Sequence, residues 1–408
     1  MTRIGFAFNQ KPDQVPLRLE NETPRADDEP PSSRRDITSR HAAPPAPEAA
    51  IASTAVTGPS EPPTDDEFAE WDSAETIDAV ERALAGLGEV VRLEANADFP
   101  ERLRAARPDI VFNMAEGLRG VNREAHVPAI CEFFGIPYSG SDPFTLSLCL
   151  DKAKTKELLA YHGVPTAPFT VVRELEPLDA IDARFPLAAS RFPLFVKPVH
   201  EGSSKGITER NLCGSLDELE AQLAFLLARY EQPVLVEEFL PGAEFTCAVL
   251  GNGAAARVLP LVGMRFDALP DGALPVYGYE AKWLWDRPDH PLEIFECPAR
   301  IDEATRRAIE DVALAAYRVL ACRDWSRIDV RLDAAGVPNV VEVNPLPGIL
   351  PNPADNSCFP KAARAAGMSY DELVQACVRA AAERQGVPLS GRAAYRASLE
   401  RRRAAAMG

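Results

Sequence analysis

The chain is predicted to be an α/β protein, with a small N-terminal domain on a parallel sheet followed by a larger α+β part. Between Arg3 and Asn113, apolar strands and helical periodicities alternate as strand, helix, strand, helix, strand, the order that lays helices over a parallel sheet. In the C-terminal third, Arg327–Asp333 and Val340–Pro345 read as two apolar-alternating strands joined by the turn Ala334-Ala335-Gly336-Val337-Pro338, which is an antiparallel hairpin pattern. At 408 residues and 46% hydrophobic content, the chain has material for two or three domains with a substantial core.

Arg3–Phe8 is the first strand. Residues 11–67 then change character: they hold eleven of the 37 prolines, with acids, serines and alanines and no periodicity. Such a composition buries no core, so this insertion is expected to be disordered or a loose surface loop. Order resumes at Trp71-Asp72-Ser73, where Ser73 suits the N-cap of a helix through Ala85. Gly86-Leu87-Gly88 ends that helix, Glu89–Leu93 is the second strand, Glu101–Ala106 a short helix and Pro108–Asn113 the third strand. This domain is expected to span residues 1–150. The next, 151–245, opens with a helix from Asp151-Lys152. It continues through the strand Pro193–Pro198, the loop Glu201-Gly202-Ser203-Ser204-Lys205-Gly206-Ile207, a helix from Ser215 to Tyr230 and the strand Val234–Glu238. The third, 246–385, holds the strand running on from Glu244, an irregular stretch from Met264 to Pro298, a helix near Asp302 to Leu320, the hairpin and a last helix, Ser369 to Gln385. A basic, alanine-rich tail at 386–408 is expected to be mobile.

A net charge of −17 argues against nucleic acid or a membrane as partner, since both need basic surface. No apolar run reaches the length of a membrane span. The eight cysteines are scattered, with no C-x-x-C pair, and mostly sit in apolar contexts, which reads as reduced core thiols in a cytoplasmic protein.

The chemistry gathers at few places. Asp329 lies on one hairpin strand, and Glu342 and Asn344 lie two apart on the other, so they share a face. Grouped hard oxygen ligands suit Mg²⁺ together with phosphate oxygens. Solvated surface acids are the alternative, and the apolar Val341, Val343 and Pro345 around them count against it. Lys197 ends an apolar strand, from which it can project at a phosphate as a point charge. The glycine- and serine-rich loop directly after it can fold backbone N–H groups over phosphate oxygens, with Lys205 adding charge. Lys152 is a third cation. Glu237, Glu238 and Glu244 end or open strands beside Phe239-Leu240-Pro241-Gly242, where backbone suits an adenine edge and a carboxylate suits ribose hydroxyls; ordinary strand-end acids are an equal alternative.

In this order, Asp151-Lys152, Val196-Lys197-Pro198, Glu201–Gly206, Val236-Glu237-Glu238, Gly242–Thr246, Tyr279-Glu280-Ala281-Lys282, Arg327-Ile328-Asp329 and Glu342-Val343-Asn344-Pro345 resemble the ATP-grasp ligases, in particular the D-alanine–D-alanine ligase group. The resemblance runs over about residues 108 to 380. It implies a two-domain ATP-grasp fold after the N-terminal domain, with ATP between two antiparallel sheets. It assigns Lys152, Lys197, Ser203, Ser204, Lys205 and Gly206 to phosphates. Glu237, Glu238, Leu240 and Glu244 fall to adenosine, and Lys282 to the γ-phosphate region. Two Mg²⁺ ions, or Mn²⁺ in their place, fall to Asp329, Glu342 and Asn344. Arg327, with Lys282 and Ser203, takes the catalytic role, and Arg327, Asn344, Gly348, Ser357 and Glu116 face substrate. The implied reaction joins amino acids through an acyl phosphate for peptidoglycan synthesis, on amino-acid or dipeptide substrates, in a homodimer.

The chain departs from the group on the first-substrate side. After Phe8-Asn9-Gln10 comes the proline-rich insertion instead of a glycine-rich serine–glutamate segment, and Glu116 stands where the group has histidine. Trp283 follows Lys282 where a tyrosine is usual. Asn122, Arg123, Glu124 and His126 form a polar set beside that loop, read either as substrate recognition or as helix-start charges facing water. Two further readings stay open: a ligase for other amino acids or peptides, and a nucleotide-binding regulator without turnover.

Overall fold

The computed structural model describes residues 1–12, 68, 70–117, 119–188, 191–270, 273–276, 278 and 292–389. The proline-rich insertion beyond Pro12, the Tyr279–Lys282 motif with Trp283, and the basic tail from residue 390 lie outside the described residues. The chain divides into one unit of Met1–Lys11 with Phe68–Gly408 and another of Pro12–Glu67, and every helix and strand among the described residues belongs to the first.

The N-terminal sheet is parallel, in the order β2-β1-β3, from β1 (Arg3–Phe8), β2 (Glu89–Glu94) and β3 (Ile110–Asn113), with α1 (Ala74–Ala85) and α2 (Phe99–Ala106) as its crossovers. Ser73 caps α1 by accepting from the Thr76 amide, as its side chain predicts. Where the chain leaves β1 and returns to α1 it closes on itself: the Lys11 amide donates to the Asp72 carbonyl at 2.8 Å and the Asp72 amide to the Asn9 carbonyl at 3.0 Å. Helices α3 (His126–Phe134) and α4 (Pro143–Leu150) come next. The start of α3 agrees with the helix-start reading of the polar set near residue 123, whereas α4 is not expected from the sequence, because its apolar residues surround it evenly instead of forming one stripe.

Beyond them lie α5 (Lys152–Tyr161), β4 (Phe169–Val172), α6 (Leu178–Asp182), β5 (Leu194–Pro198), β6 (Leu212–Cys213), α7 (Leu216–Tyr230) and β7 (Val234–Glu238). Their strands form an antiparallel sheet, β4-β7-β5-β6. Leu219, Leu223 and Leu226, spaced for one helix face, bury α7 against Val196, Val234 and Val236.

The larger antiparallel sheet runs β11-β10-β8-β12-β13, with β9 beside β8. It contains β8 (Glu244–Leu250), β9 (Arg257–Val258), β10 (Val262–Met264), β11 (Phe295–Glu296), β12 (Trp325–Leu332) and β13 (Pro338–Asn344), with α8 (Glu303–Val319) preceding the hairpin and α9 (Cys358–Ala365) and α10 (Tyr370–Gln385) after it. Ile309, Ala313, Ala316 and Tyr317 of α8 pack on Cys247, Val249, Ile328 and Val330. That covers one face of the sheet and leaves Thr246, Arg327, Asp329 and Arg331 to the other. The fully buried Trp325 meets Phe112 at 5.8 Å and Phe359 at 5.6 Å between ring centroids, joining the first sheet to the last. The eight cysteines form no disulfide, and six are buried. No helix among the described residues is long and apolar enough to cross a membrane.

Candidate functional site

A cleft of about 350 Å³ lies between the two antiparallel sheets, and a recess of about 50 Å³ opens beside it towards the N-terminal sheet. The hairpin forms its floor. Register places Asp329 opposite Glu342 and Arg327 opposite Asn344, so the four predicted side chains meet. Thr246, across the ladder on β8, donates to Asp329 Oδ1 at 2.9 Å. Arg327 Nη2 lies 3.1 Å from Asp329 Oδ2 and 3.9 Å from Glu342 Oε2, and Lys152 Nζ lies 2.8 Å from Glu342 Oε1. Burial raises both carboxyls, but on Glu342 the surrounding cations Lys152, Arg327 and Lys197 outweigh it and hold the group at about 2. On Asp329, burial and the neighbouring Glu342 prevail over Arg327, and its pKa stays raised. The Asn344 amide nitrogen is buried without a hydrogen-bond partner. Two carboxylates with the side-chain carbonyl oxygen of Asn344 on one wall make a donor set that suits an oxygen-seeking cation. No group of three or more His, Cys, Asp or Glu poised for a metal occurs among the described residues, so any ion here takes part of its shell from substrate or water.

The second wall carries the other cations. Glu237 Oε1 holds Lys197 at 2.7 Å and Oε2 holds Lys156 at 2.6 Å, all three buried. Burial alone would raise Glu237, yet the two lysines bring it to about 2. Its carboxylate is thus committed to lysines, which leaves backbone to face a base. Lys156 escaped sequence reading, although it lies one helical turn beyond Lys152 on the same face. Glu238 pairs with Arg191 at 3.0 Å, near the rim. Glu244 pairs with Arg331 at 2.8 Å, directly across β8 and β12, and Leu240 lines the same end. Ser357 precedes α9; its hydroxyl accepts from the Leu350 amide at 3.1 Å and donates to the Gly348 carbonyl at 3.4 Å. Lys282, expected here, lies outside the described residues.

The phosphate-loop candidate adopts the left-handed backbone its composition suggests, with positive φ at Ser203, Ser204 and Gly206. Lys205 differs from expectation. Its ammonium lies 3.1 Å from Glu70, a buried carboxylate that Arg123 also holds at 3.0 Å. Glu70 stands at the edge of the stretch whose composition hid it; proximity to Trp71-Asp72, where order resumes, was the one signal. Of the polar set near residue 123, Arg123 and Glu124 are buried at the site and His126 is exposed. Glu116 lines both cavities.

Residues 158–379 match the family model described as the D-ala D-ala ligase C-terminus. The chain is 37% identical over 309 residues to a D-alanine–D-alanine ligase of Desulforudis audaxviator, covering 75% of this chain and 92% of that protein. It is 38% identical over 280 residues to the enzyme so named from Bordetella petrii, covering 69% and 78%. An uncharacterized protein of Sinorhizobium fredii is 35% identical over 314 residues, covering 74% and 86%. The crystal structure of a D-alanine–D-alanine ligase from Bacillus anthracis shares the fold, with a TM-score of 0.62 at 23% identity over 94% of this chain and 98% of that one.

Proposed function

The chain belongs to the D-alanine–D-alanine ligase family, and from that premise we propose that it is an ATP-dependent ligase that joins two amino acids by way of an acyl phosphate. The observation that carries the proposal is the cleft wall where Asp329, Glu342 and Asn344 stand beside Lys152, Lys197 and Arg327. A carboxylate resists attack by an amine because its charge and resonance repel the nucleophile. Transfer of the γ-phosphoryl group of ATP to that carboxylate, with ADP leaving, gives an acyl phosphate, and the amine then attacks its carbonyl and expels phosphate. Asp329, Glu342 and Asn344 would hold Mg²⁺, which would supply charge neutralisation on the phosphate oxygens.

The chain's own residues supply the rest. Lys152 and Lys197 hold phosphate oxygens in line, and the left-handed backbone at Ser203 and Ser204 turns amides towards them. Glu244 and Leu240 receive the nucleoside. Arg327, kept charged between Asp329 and Glu342, faces the oxyanion formed when the amine attacks. Ser357 and Gly348 take the second substrate's carboxylate, and Lys282 the γ-phosphate side. Glu70 joins Glu116 on the first-substrate side.

Phosphate release with ATP, Mg²⁺ and single amino acids tests the reading. Release that depends on D-alanine identifies D-alanyl-D-alanine synthesis. Release only with other amino acids favours the second reading, a different donor, which the acidic surroundings of Glu116 support. None with any amino acid leaves a nucleotide-binding regulator. Glu342→Gln should lower the rate by at least about 10³-fold, on the scale of losing a key electrostatic group, with the circular dichroism spectrum unchanged; wild-type rates would remove Glu342 from the site.

A further inference from the structure

We propose that Glu116 and Glu124 form a cation-binding subsite in the recess beside the cleft, so that the carboxylic acid activated here is a short amino acid with a basic side chain. The inference rests on the ligase reading and names its donor class. Both residues line the recess of about 50 Å³, together with Ser203 of the phosphate loop and Glu342 and Asn344 of β13. A group bound there lies next to where phosphoryl transfer takes place. Glu124 is 8% exposed. Neither it nor Glu116 makes a hydrogen bond or ion pair with any described residue.

The cations nearby are already engaged. Arg123 donates to Glu70 at 3.0 Å and to the His200 carbonyl at 3.0 Å. Lys205 also pairs with Glu70, and Lys152 pairs with Glu342. Arg123 offsets part of the charge on both carboxyls, and Lys152 part of that on Glu124, but neither cation forms an ion pair with them, so holding both charged in this recess is costly. Burial accordingly lifts Glu124 to about 7, and burial with the facing Glu124 raises Glu116. The α-ammonium of a neutral amino acid offsets one of the two; a side-chain ammonium offsets the other. The recess has room for about four water molecules, which suits a chain of one to three methylenes ending in a charge.

Phosphate release by the full chain with ATP and Mg²⁺ is the test. The amino acids are 2,3-diaminopropionate, 2,4-diaminobutyrate and ornithine against alanine, 2-aminobutyrate and norvaline, in both enantiomers, each alone and with D-alanine. The expected result is a kcat/KM for the best basic donor at least about 100-fold above its neutral counterpart. The preference should fall below about tenfold in Glu116→Gln and Glu124→Gln, with the ATP-induced thermal shift reporting that each variant is folded. The wild-type comparison decides even where a variant does not fold. Equal turnover of neutral and basic donors, or a preference that survives both substitutions, overturns the proposal while the ligase reading stands. Absence of release with every donor overturns both.

Discussion

Arg331 illustrates how much a single side chain carries in this cleft. One guanidinium nitrogen donates to Glu244 at 2.8 Å and to the Pro275 carbonyl at 2.9 Å, while the group stacks on Phe239 at 4.5 Å and Phe266 at 5.2 Å. Burial raises the Glu244 carboxyl, and Arg331 opposes that rise. Arg331→Met keeps the bulk and removes the charge, so Glu244 should become a weaker acceptor for ribose hydroxyls. The KM for ATP is expected to rise about tenfold, equivalent to about 1.4 kcal/mol, with kcat at saturating ATP little changed; an unaltered KM would separate Glu244 from the nucleotide. Glu237 gives a stability test. Its folded pKa of about 2 lies below the ordinary 4.5, so its stabilisation is complete above about pH 4.5 and is lost as pH falls towards 2. Glu237→Gln leaves Lys156 and Lys197 buried without their counter-ion and should cost about 3–5 kcal/mol. Thermal unfolding at pH 7 and at pH 3 should show the gap between the proteins shrinking with acid; a constant gap would contradict it. Asp329, Glu342 and Asn344 were legible at this scale because strand alternation fixes facing. Arg331 obeys the same alternation two residues beyond Asp329, and was missed because a charge near a strand end is usually solvated.

At the scale of elements, the loop after β5 is where sequence and geometry agree most closely. Its glycine and serine content predicted backbone able to wrap an anion, and three of its residues adopt positive φ. Gly206, at φ +70, has a second reason to be glycine: a Cβ there would come 2.7 Å from Pro198 and 2.9 Å from Tyr230, both stiff side chains. Gly206→Ala, which meets both the φ penalty and the clash, should therefore destabilise by about 2–5 kcal/mol and raise the KM for ATP by shifting the loop. Gly367→Ala meets the same φ penalty at +80 with nothing within 4 Å, so it should cost only about 1–2 kcal/mol and leave that KM alone. Equal effects in urea unfolding and in kinetics would show that contact with Pro198 and Tyr230 does not hold the loop. The anchoring of Lys205 on Glu70 was not legible, because it joins residues 135 apart in sequence and no local pattern encodes such a pair. The two-residue strands β6, β9 and β11 were likewise invisible, being too short for any period to register.

The whole molecule brings three sheets to one cleft, and the parallel one reaches it only because the chain returns correctly after the proline-rich insertion. Alternating strands and helices were enough to read the parallel sheet, since each element follows its neighbour. The packing of α10 against α1 was not, since Gln375 reaching the Ala83 carbonyl at 2.9 Å joins residues 292 apart in sequence. The backbone bonds between Lys11, Asn9 and Asp72 close the insertion's base independently of what lies between. Deleting residues 14–64 should therefore preserve both cooperative unfolding and phosphate release. For a flexible connection, shortening by about three doublings removes about 2 kcal/mol of closure entropy, so the midpoint of unfolding should rise. Glu70 sets the boundary of the experiment: a deletion extended through it would free Arg123 and Lys205 from their shared carboxylate and should impair release. A lower midpoint or a broadened transition in the shorter deletion would mean that the inserted residues bury surface the rest of the fold depends on, against what their composition predicts.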